Sequence, residues 1–156
     1  MLFQDAVAAG LADHGIDTVF GLIGDGNLFV MDSFVHRSGT TYIAVAHEAT
    51  AVEAASGYAQ VTGRLGVATV THGPALTNTV TALADAVRAR VPLLLIAGDT
   101  RAGDDQHLQK IAQREVVLAS GAGFQQLRSP QSLSDDLTTA IRRTHAERRP
   151  VVLNSP

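Results

Sequence analysis

Short apolar runs alternate with longer stretches of helical periodicity along the whole chain. The runs predict strands at Asp17–Phe20, Thr41–Ala44, Gly66–Thr71, Pro92–Ala97, Gly123–Gln126 and Pro150–Leu153. The stretches between them predict helices at Leu2–Asp13, Leu28–Phe34, Glu48–Thr62, Leu76–Arg88, Leu108–Leu118 and Pro130–His145. Such alternation is typical of parallel strands joined by right-handed crossovers. We therefore predict an α/β fold with a doubly wound, about six-stranded parallel sheet and helices on both faces.

Local features support this architecture. The strand segments Val67–Val70 and Leu93–Ile96 are apolar throughout, as expected when helices cover both faces of a parallel sheet. Ser129 has the position of a helix cap, and Gly63 has the stop position after the third helix. No repeat or linker interrupts the pattern, so residues 1–156 are predicted to form one domain.

Composition excludes several classes of function. Twelve Lys and Arg against 15 Asp and Glu give a net charge of −3 without a long run of one sign, which argues against a nucleic-acid groove or a membrane-surface patch. The absence of cysteine excludes disulfides, thiolate metal sites and cysteine nucleophiles. The longest apolar run, Val91–Ala97, is far shorter than the ~20 residues of a membrane span. Nothing near Met1 resembles a secretory signal, so we expect a cytoplasmic protein.

Residues able to do chemistry follow four of the predicted strands. They are Gly21–Asn27, His47-Glu48, His72–Pro74 and Gly98-Asp99. Ligands bind at the carboxyl ends of the strands in sheets of this kind, and these four segments should lie along that edge. The opposite edge carries mostly turn residues. This asymmetry predicts a site at the carboxyl edge.

Glu48 is the sharpest candidate. It follows an apolar strand and opens an alanine-rich helix, where the helix N-terminus stabilises a carboxylate even without a function. The neighbouring residues Ala44–Ala46 and Ala49 would remove water from it, so that the carboxyl group keeps its proton more readily and can share it with a ring nitrogen. Both a structural and a functional interpretation of Glu48 are therefore open from the residues alone.

The segment Thr71–Asn78 joins a buried strand to a helix, and Gly73 within it permits close backbone approach. His72 and His107 are the histidines that we single out as catalytic candidates, although a local hydrogen-bonding role is the ordinary alternative for each. No pair of histidines has metal-ligand spacing, so no metal site is predicted.

The glycine-rich segment Gly21–Asn27 lacks the spacing of a dinucleotide-binding loop and has no P-loop lysine. A flavodoxin-like or nucleotide-binding domain is therefore a weaker alternative. In the plainest interpretation the segment is a tight turn in which Asp25 caps the next helix.

Four blocks of sequence occur in a characteristic order. Val19–Asp25 resembles V-F-G-x-P-G, and His47-Glu48 leads into a helix of the form H-E…G-Y-A-x-x-T-G. Thr71–Asn78 resembles T-S-G-P-G-x-x-N, with Ala75 in place of the second glycine, and Pro92–Gly98 resembles P-[LV]-L-x-I-x-G. Together they resemble the N-terminal, pyrimidine-binding (PYR) domain of thiamine-diphosphate enzymes of the acetolactate synthase, pyruvate oxidase and benzoylformate decarboxylase group. The resemblance covers essentially the whole chain.

This resemblance implies a cofactor and a role for Glu48. In the family, this glutamate bonds N1′ of the aminopyrimidine of thiamine diphosphate, whose imino form then removes the thiazolium C2 proton before attack on a 2-keto acid. Ile23, Thr71, Gly73 and Asn78 match family positions around the pyrimidine. Mg²⁺ is expected only through a diphosphate-binding domain.

The resemblance leaves the substrate open. Ile23 stands where the family usually has proline, and His72 replaces a serine. Asp25 resembles the proton-relay aspartate of keto-acid decarboxylases, which also use histidines near the positions of His72 or His107. Gln109 lies near a glutamine of the synthase branch and is the candidate substrate contact. Both a carboligase and a decarboxylase fit.

Family members usually continue with a middle domain and a diphosphate-binding domain, and their sites form between domains of two chains. Gly24–Gly26 spells the G-D-G of the family's metal motif, but no Asn-Asn pair follows. We therefore expect a fragment that holds half a site, is inactive alone and pairs with the diphosphate-binding domain of a second chain in a homodimer or tetramer. The alternatives are the alpha subunit of a two-subunit keto-acid decarboxylase and a non-catalytic α/β binding module.

Overall fold

Six parallel strands form one sheet in the computed structural model, which describes residues 2–101 and 103–155 and leaves Met1, Ala102 and Pro156 outside. The strands are β1 (Thr18–Gly21), β2 (Thr41–Ala44), β3 (Gly66–Val70), β4 (Leu93–Gly98), β5 (Gly123–Gln126) and β6 (Pro150–Ser155). Their order across the sheet is β2-β1-β3-β4-β6-β5, and every neighbouring pair is parallel. The predicted fold class is confirmed.

One helix precedes β1, and the others lie between the strands. They are α1 (Phe3–Asp13), α2 (Leu28–Val35), α3 (Glu48–Thr62), α4 (Pro74–Thr77), α5 (Val80–Arg88), α6 (Gln113–Ala119) and α7 (Leu133–Glu147). Within the described ranges no helix has the length and apolar character needed to cross a bilayer. Helix α3 ends where predicted, at Gly63, which has a left-handed conformation with φ of 71°.

Side chains alternate across the sheet into two cores. Along β4, Leu94 and Ile96 pack into a core with α1, α2 and α7, whereas Leu93 and Leu95 pack into a second core with α3 to α6. Burial on both faces explains why the central strands carry no alternating polar positions.

Helix α3 lies unusually close to β3. A Cβ atom on Gly66 would lie 2.1 Å from the carbonyl oxygen of Ala55, so only glycine fits at this point. Ala51 and Ala59 on α3 are also buried, and their small side chains allow the same close approach. Since α3 begins with Glu48, this packing fixes the position of that residue at the edge of the sheet.

The helix predicted at Leu76–Arg88 is two helices. Thr79 is fully buried, and its hydroxyl donates to the carbonyl oxygen of Leu76 at 2.7 Å, which competes with the regular backbone pattern. The break places Asn78 between α4 and α5.

The helix predicted at Leu108–Leu118 begins only at Gln113, so the first part of that prediction is wrong. The backbone N–H of Lys110 instead donates to the carbonyl oxygen of His107 at 3.0 Å and forms a turn. Leu108 is 100% exposed, so this apolar residue, which extended the predicted helix, packs against no other residue in the described part of the chain.

The last helix starts with a 3₁₀ turn at Pro130–Ser132, and Ser129 caps it as predicted. Asp136 in α7 is 1% exposed and accepts hydrogen bonds from the Arg128 side chain and from the Ser132 hydroxyl. Burial acts to raise the pKa of Asp136, but the hydrogen bonds from Arg128 and Ser132 outweigh it and hold the pKa below the ordinary value of 3.8.

Substituting Gly66→Ala should lower the free energy of unfolding by about 1–3 kcal/mol, because the added methyl group forces β3 away from α3. Gly57→Ala is the matched control, since the space around Gly57 in the exposed part of α3 is open. It should leave stability unchanged or raise it by up to about 1 kcal/mol. Urea denaturation followed by circular dichroism measures both, and equal effects would contradict the close packing.

The lowered pKa of Asp136 makes stability depend on pH. A depressed pKa in the folded state means that Asp136 stabilises the fold above its ordinary value of 3.8, and that this contribution is lost as the pH falls through the folded pKa. Asp136→Asn should therefore flatten the acid limb of a plot of unfolding free energy against pH. Asp135→Asn, which changes the exposed neighbour, should leave that limb as it is.

Candidate functional site

The ends of β2, β1 and β3 lie side by side at the carboxyl edge. Gly21 at the end of β1 pairs with Ala44 of β2 and with Thr69 of β3. Their three loops therefore start at nearly the same level of the sheet, and they carry most of the site residues predicted from sequence. The loop after β4 adds His107 and Gln109 from the neighbouring position.

Glu48 occupies the first position of α3, directly after the cap residue His47, whose ring Nδ1 accepts the backbone N–H of Ala49 at 3.1 Å. The side-chain amide of Asn78 donates to Oε2 of Glu48 at 3.0 Å. The other carboxylate oxygen, Oε1, has no hydrogen-bond partner among the residues that the structure describes. The break between α4 and α5 therefore supplies the group that orients Glu48.

The apolar covering expected around Glu48 is incomplete in this chain. Glu48 is half-buried, and Ala44 and Ala46 before it are exposed because β2 is the outermost strand of the sheet. Ile23, predicted from the resemblance to lie near the pyrimidine, is also exposed, at 40%. Glu48 thus lies on an open face rather than in an enclosed pocket.

A second group of side chains forms around Thr71. Its hydroxyl donates to Oδ1 of Asp25 at 3.0 Å, accepts the backbone N–H of Gly26 at 3.0 Å and lies 3.2 Å from Nδ1 of His72. His72 is 5% exposed, and its Nδ1 lies 3.7 Å from Oδ1 of Asp25. The hydrogen bond from Thr71, opposed by burial and assisted by His72, holds the pKa of Asp25 below its ordinary value.

His107 packs against this group. The ring centroids of His72 and His107 are 5.0 Å apart, with an angle of 52° between the ring planes. The backbone N–H of Gln109 donates to Nδ1 of His107 at 3.2 Å. The structure therefore brings together Asp25, His72 and His107, three of the four residues predicted from sequence as catalytic. We call these residues and Thr71 the histidine cluster.

Gly73 is held tightly between its neighbours. Its φ is 61°, and a Cβ atom on it would lie 2.0 Å from the carbonyl oxygen of Gln109. Its backbone N–H donates to Oε1 of Gln113 at 2.6 Å. Gly73 therefore allows the segment around Gln109 to lie directly on the loop that carries His72.

Sequence reasoning missed Gln113, which is 3% exposed. Besides accepting from Gly73, its amide donates to the carbonyl oxygen of Gly98 at 2.9 Å and to Oδ1 of Asn154 at 2.5 Å. Asn154 is buried and in turn donates to Asp99 and Gln126. The only signal for this network in the sequence was Asn154, a polar residue directly after the apolar run of β6. That pattern is too common to identify a buried site residue.

Asn27 was also missed. It is buried, and its side chain accepts from the backbone N–H of Gly24 at 2.8 Å and donates to the carbonyl oxygen of Leu22 and the hydroxyl of Thr69. Asn27 precedes α2, so the alternative in which Asp25 caps that helix is wrong. Asp25 instead accepts a hydrogen bond from the hydroxyl of Thr71.

The carboxyl edge thus carries two sets of proton-binding groups. Glu48 with Asn78 forms one set, and the histidine cluster forms the other. Imidazole and carboxylate groups hold and transfer protons near neutral pH. Within residues 2–101 and 103–155, no three His, Asp or Glu side chains converge as a metal ion requires.

Gln113→Leu should destabilise the fold by at least about 2 kcal/mol, because three buried polar groups, on Gly73, Gly98 and Asn154, lose their partner. Urea unfolding measures the change. Gln131→Leu is the control on an exposed glutamine, and its effect should stay within about 0.5 kcal/mol. Equal stabilities of the Gln113 variant and the parent chain would contradict the network.

The chain is similar to proteins of known family. The family model for the thiamine pyrophosphate enzyme N-terminal TPP binding domain matches residues 1–122. An acetolactate synthase from Mycobacterium bovis is 43% identical over 98 residues, which cover 63% of this chain and 16% of that protein. A 2-hydroxyacyl-CoA lyase 2 from Danio rerio is 46% identical over 94 residues, 60% of this chain and 15% of that protein.

A third relative matches over the full length of the chain. It is a sulfoacetaldehyde acetyltransferase from Rhodobacter capsulatus, 28% identical over 158 aligned positions that cover 100% of this chain and 27% of that protein. The chain therefore spans less than a third of each of these relatives. Because the family model covers most of the chain, including the loops that carry Glu48 and the histidine cluster, the chain belongs to the thiamine pyrophosphate enzyme family as an N-terminal TPP binding domain.

Proposed function

We propose that this chain is the pyrimidine-binding half of a thiamine-diphosphate enzyme that acts on a 2-keto acid as a decarboxylase or a carboligase. The observation that carries the proposal is the arrangement of Glu48, whose Oε2 is held by Asn78 while Oε1 has no partner within the described ranges. A carboxylate fixed on one oxygen and open on the other fits a ring nitrogen such as N1′ of the aminopyrimidine.

The residues around Glu48 fit the same half of the cofactor. Asn78 orients the carboxylate, and the loops that contain Ile23, Thr71 and Gly73 lie along the same edge as candidates to contact the pyrimidine. Bound thiamine diphosphate supplies a nucleophilic thiazolium carbon and stabilises the carbanion that forms from a 2-keto acid. Glu48 would share a proton with N1′, which is the contribution of this chain to the activation of that carbon.

The histidine cluster supports a role in handling protons of the substrate. His72 and His107 lie together beside Asp25, whose Oδ1 lies 3.7 Å from Nδ1 of His72. We assign them the transfer of protons to and from substrate oxygen or carbon, and we assign Gln109, whose backbone contacts both Gly73 and His107, to the substrate side of the site.

A second protein surface must complete the site. Ile23, Leu28, Phe29 and Leu108 are exposed apolar residues on loops and helix ends of the carboxyl edge, and they leave the reacting region open to water. We propose that the diphosphate-binding domain of a second chain, in a homodimer or tetramer, covers them and brings Mg²⁺ with the diphosphate. The much greater length of the relatives supports such a domain.

Binding of thiamine diphosphate in the presence of Mg²⁺ tests this assignment. In two-dimensional ¹H–¹⁵N NMR spectra of the chain, we expect weak, saturable shifts of the amides around Glu48 and Asn78. Glu48→Gln should weaken binding at least about tenfold, since it replaces the charged partner of N1′.

Glu53→Gln removes the same charge from an exposed position on the same helix and is the matched control. Loss of affinity in both variants, or shifts confined to the amino edge of the sheet, would contradict the assignment of Glu48. Full turnover of pyruvate by the chain alone, with thiamine diphosphate and Mg²⁺, would contradict the half-site.

A further inference from the structure

The hydroxyl of Thr71 has one proton but lies within hydrogen-bond distance of two side-chain atoms that could accept it. It accepts the backbone N–H of Gly26, and it lies within hydrogen-bond distance of both Asp25 Oδ1 and His72 Nδ1. A hydroxyl donates one hydrogen bond and accepts others through its lone pairs. The proton of Thr71 can therefore serve only one of these two groups.

Asp25 takes the hydroxyl proton. An ionised carboxylate only accepts hydrogen bonds, and the lowered pKa of Asp25, due first to the bond from Thr71, is consistent with the ionised form. With its proton directed at Asp25, the Thr71 oxygen presents a lone pair to His72. Nδ1 of His72 then faces two acceptors, Thr71 Oγ1 at 3.2 Å and Asp25 Oδ1 at 3.7 Å. Only a protonated Nδ1 makes a favourable contact there.

His107 has the opposite requirement. The backbone N–H of Gln109 points at its Nδ1 at 3.2 Å, and a backbone amide can only donate. Nδ1 of His107 must therefore be unprotonated. A neutral ring then carries its proton on Nε2.

We propose that His72 and His107 are held as opposite neutral tautomers, with Thr71 as the positioning residue that sets the tautomer of His72. His72 carries its proton on Nδ1 and offers Nε2 as an acceptor, whereas His107 offers Nε2–H as a donor. The two packed rings thus differ at Nε2, which is an acceptor in His72 and a donor in His107.

The acceptor nitrogen, Nε2 of His72, has no hydrogen-bond partner among the residues that the structure describes. The catalytic roles that follow from these two tautomers rest on the proposed function. His72 Nε2 takes a proton from a substrate hydroxyl or water and returns it, while Asp25 stabilises the imidazolium. His107 Nε2–H donates a hydrogen bond to a substrate oxygen without losing its proton.

Long-range ¹H–¹⁵N NMR of the histidine-labelled chain tests the tautomers directly at about pH 8, where an ordinary histidine is neutral. We expect the protonated-nitrogen signal on Nδ1 of His72 and on Nε2 of His107. A proton on Nε2 of His72, or on Nδ1 of His107, would overturn the proposal.

Variants test the role of Thr71. Thr71→Val keeps the shape but leaves only the more distant Asp25 Oδ1, at 3.7 Å, facing Nδ1 of His72. It should therefore raise the share of the Nε2–H form of His72, while Thr71→Ser should retain the parent pattern. Thr77→Val, on the exposed side of α4, is the matched control and should change neither ring. An unchanged His72 pattern in Thr71→Val would overturn the role of Thr71, and should that variant not fold, the parent chain and Thr71→Ser still decide the assignment.

These measurements need no cofactor, so they are separable from the proposed function. Failure of the chain to bind thiamine diphosphate would contradict the proposed function and the catalytic roles of the two histidines. The tautomers of His72 and His107 could still be measured. Reversed tautomers with normal binding at Glu48 would overturn the inference alone.

Discussion

The buried side-chain amide of Gln113 links three separate segments of the chain at the carboxyl edge of the sheet. It binds the loop after β3 through Gly73, the end of β4 through Gly98 and the end of β6 through Asn154. Because these contacts are shielded from water, leaving any one of them unmade is costly. The position of His72, one residue before Gly73, follows from this network, and the packing of His107 on His72 follows in turn.

The fold was predictable because a parallel sheet covered on both faces has a simple sequence pattern. Short apolar runs such as Leu93–Ile96 alternate with segments of helical periodicity. Strand limits differ from the prediction by at most two residues. The helices were less predictable where one side chain overrides periodicity, as Thr79 does between α4 and α5. Leu108 was included in a predicted helix because it is apolar, although it is exposed to solvent.

The placement of the candidate site residues was predictable for a different reason. Glu48, Asp25 and His72 follow strand ends, so topology alone places them on one edge. His107 lies in a loop outside regular structure, and its contact with His72 depends on Gly73 and Gln109. Gln113 and Asn27 could not be found because buried amides work through distant partners that a single sequence does not reveal. Side chains tied to strand ends are thus visible in sequence, whereas the polar groups that orient them are not.

The outermost position of β2 has a consequence for the behaviour of the chain in solution. Its free side exposes a row of backbone N–H and C=O groups together with Ile43 and Ala44, and no charged residue interrupts the strand. An uncharged strand of this kind is a template on which another extended segment can assemble. The strand that leads directly to Glu48 is therefore also an edge on which concentrated samples of the isolated chain can associate, and Ile43→Lys would place a charge there that opposes such pairing.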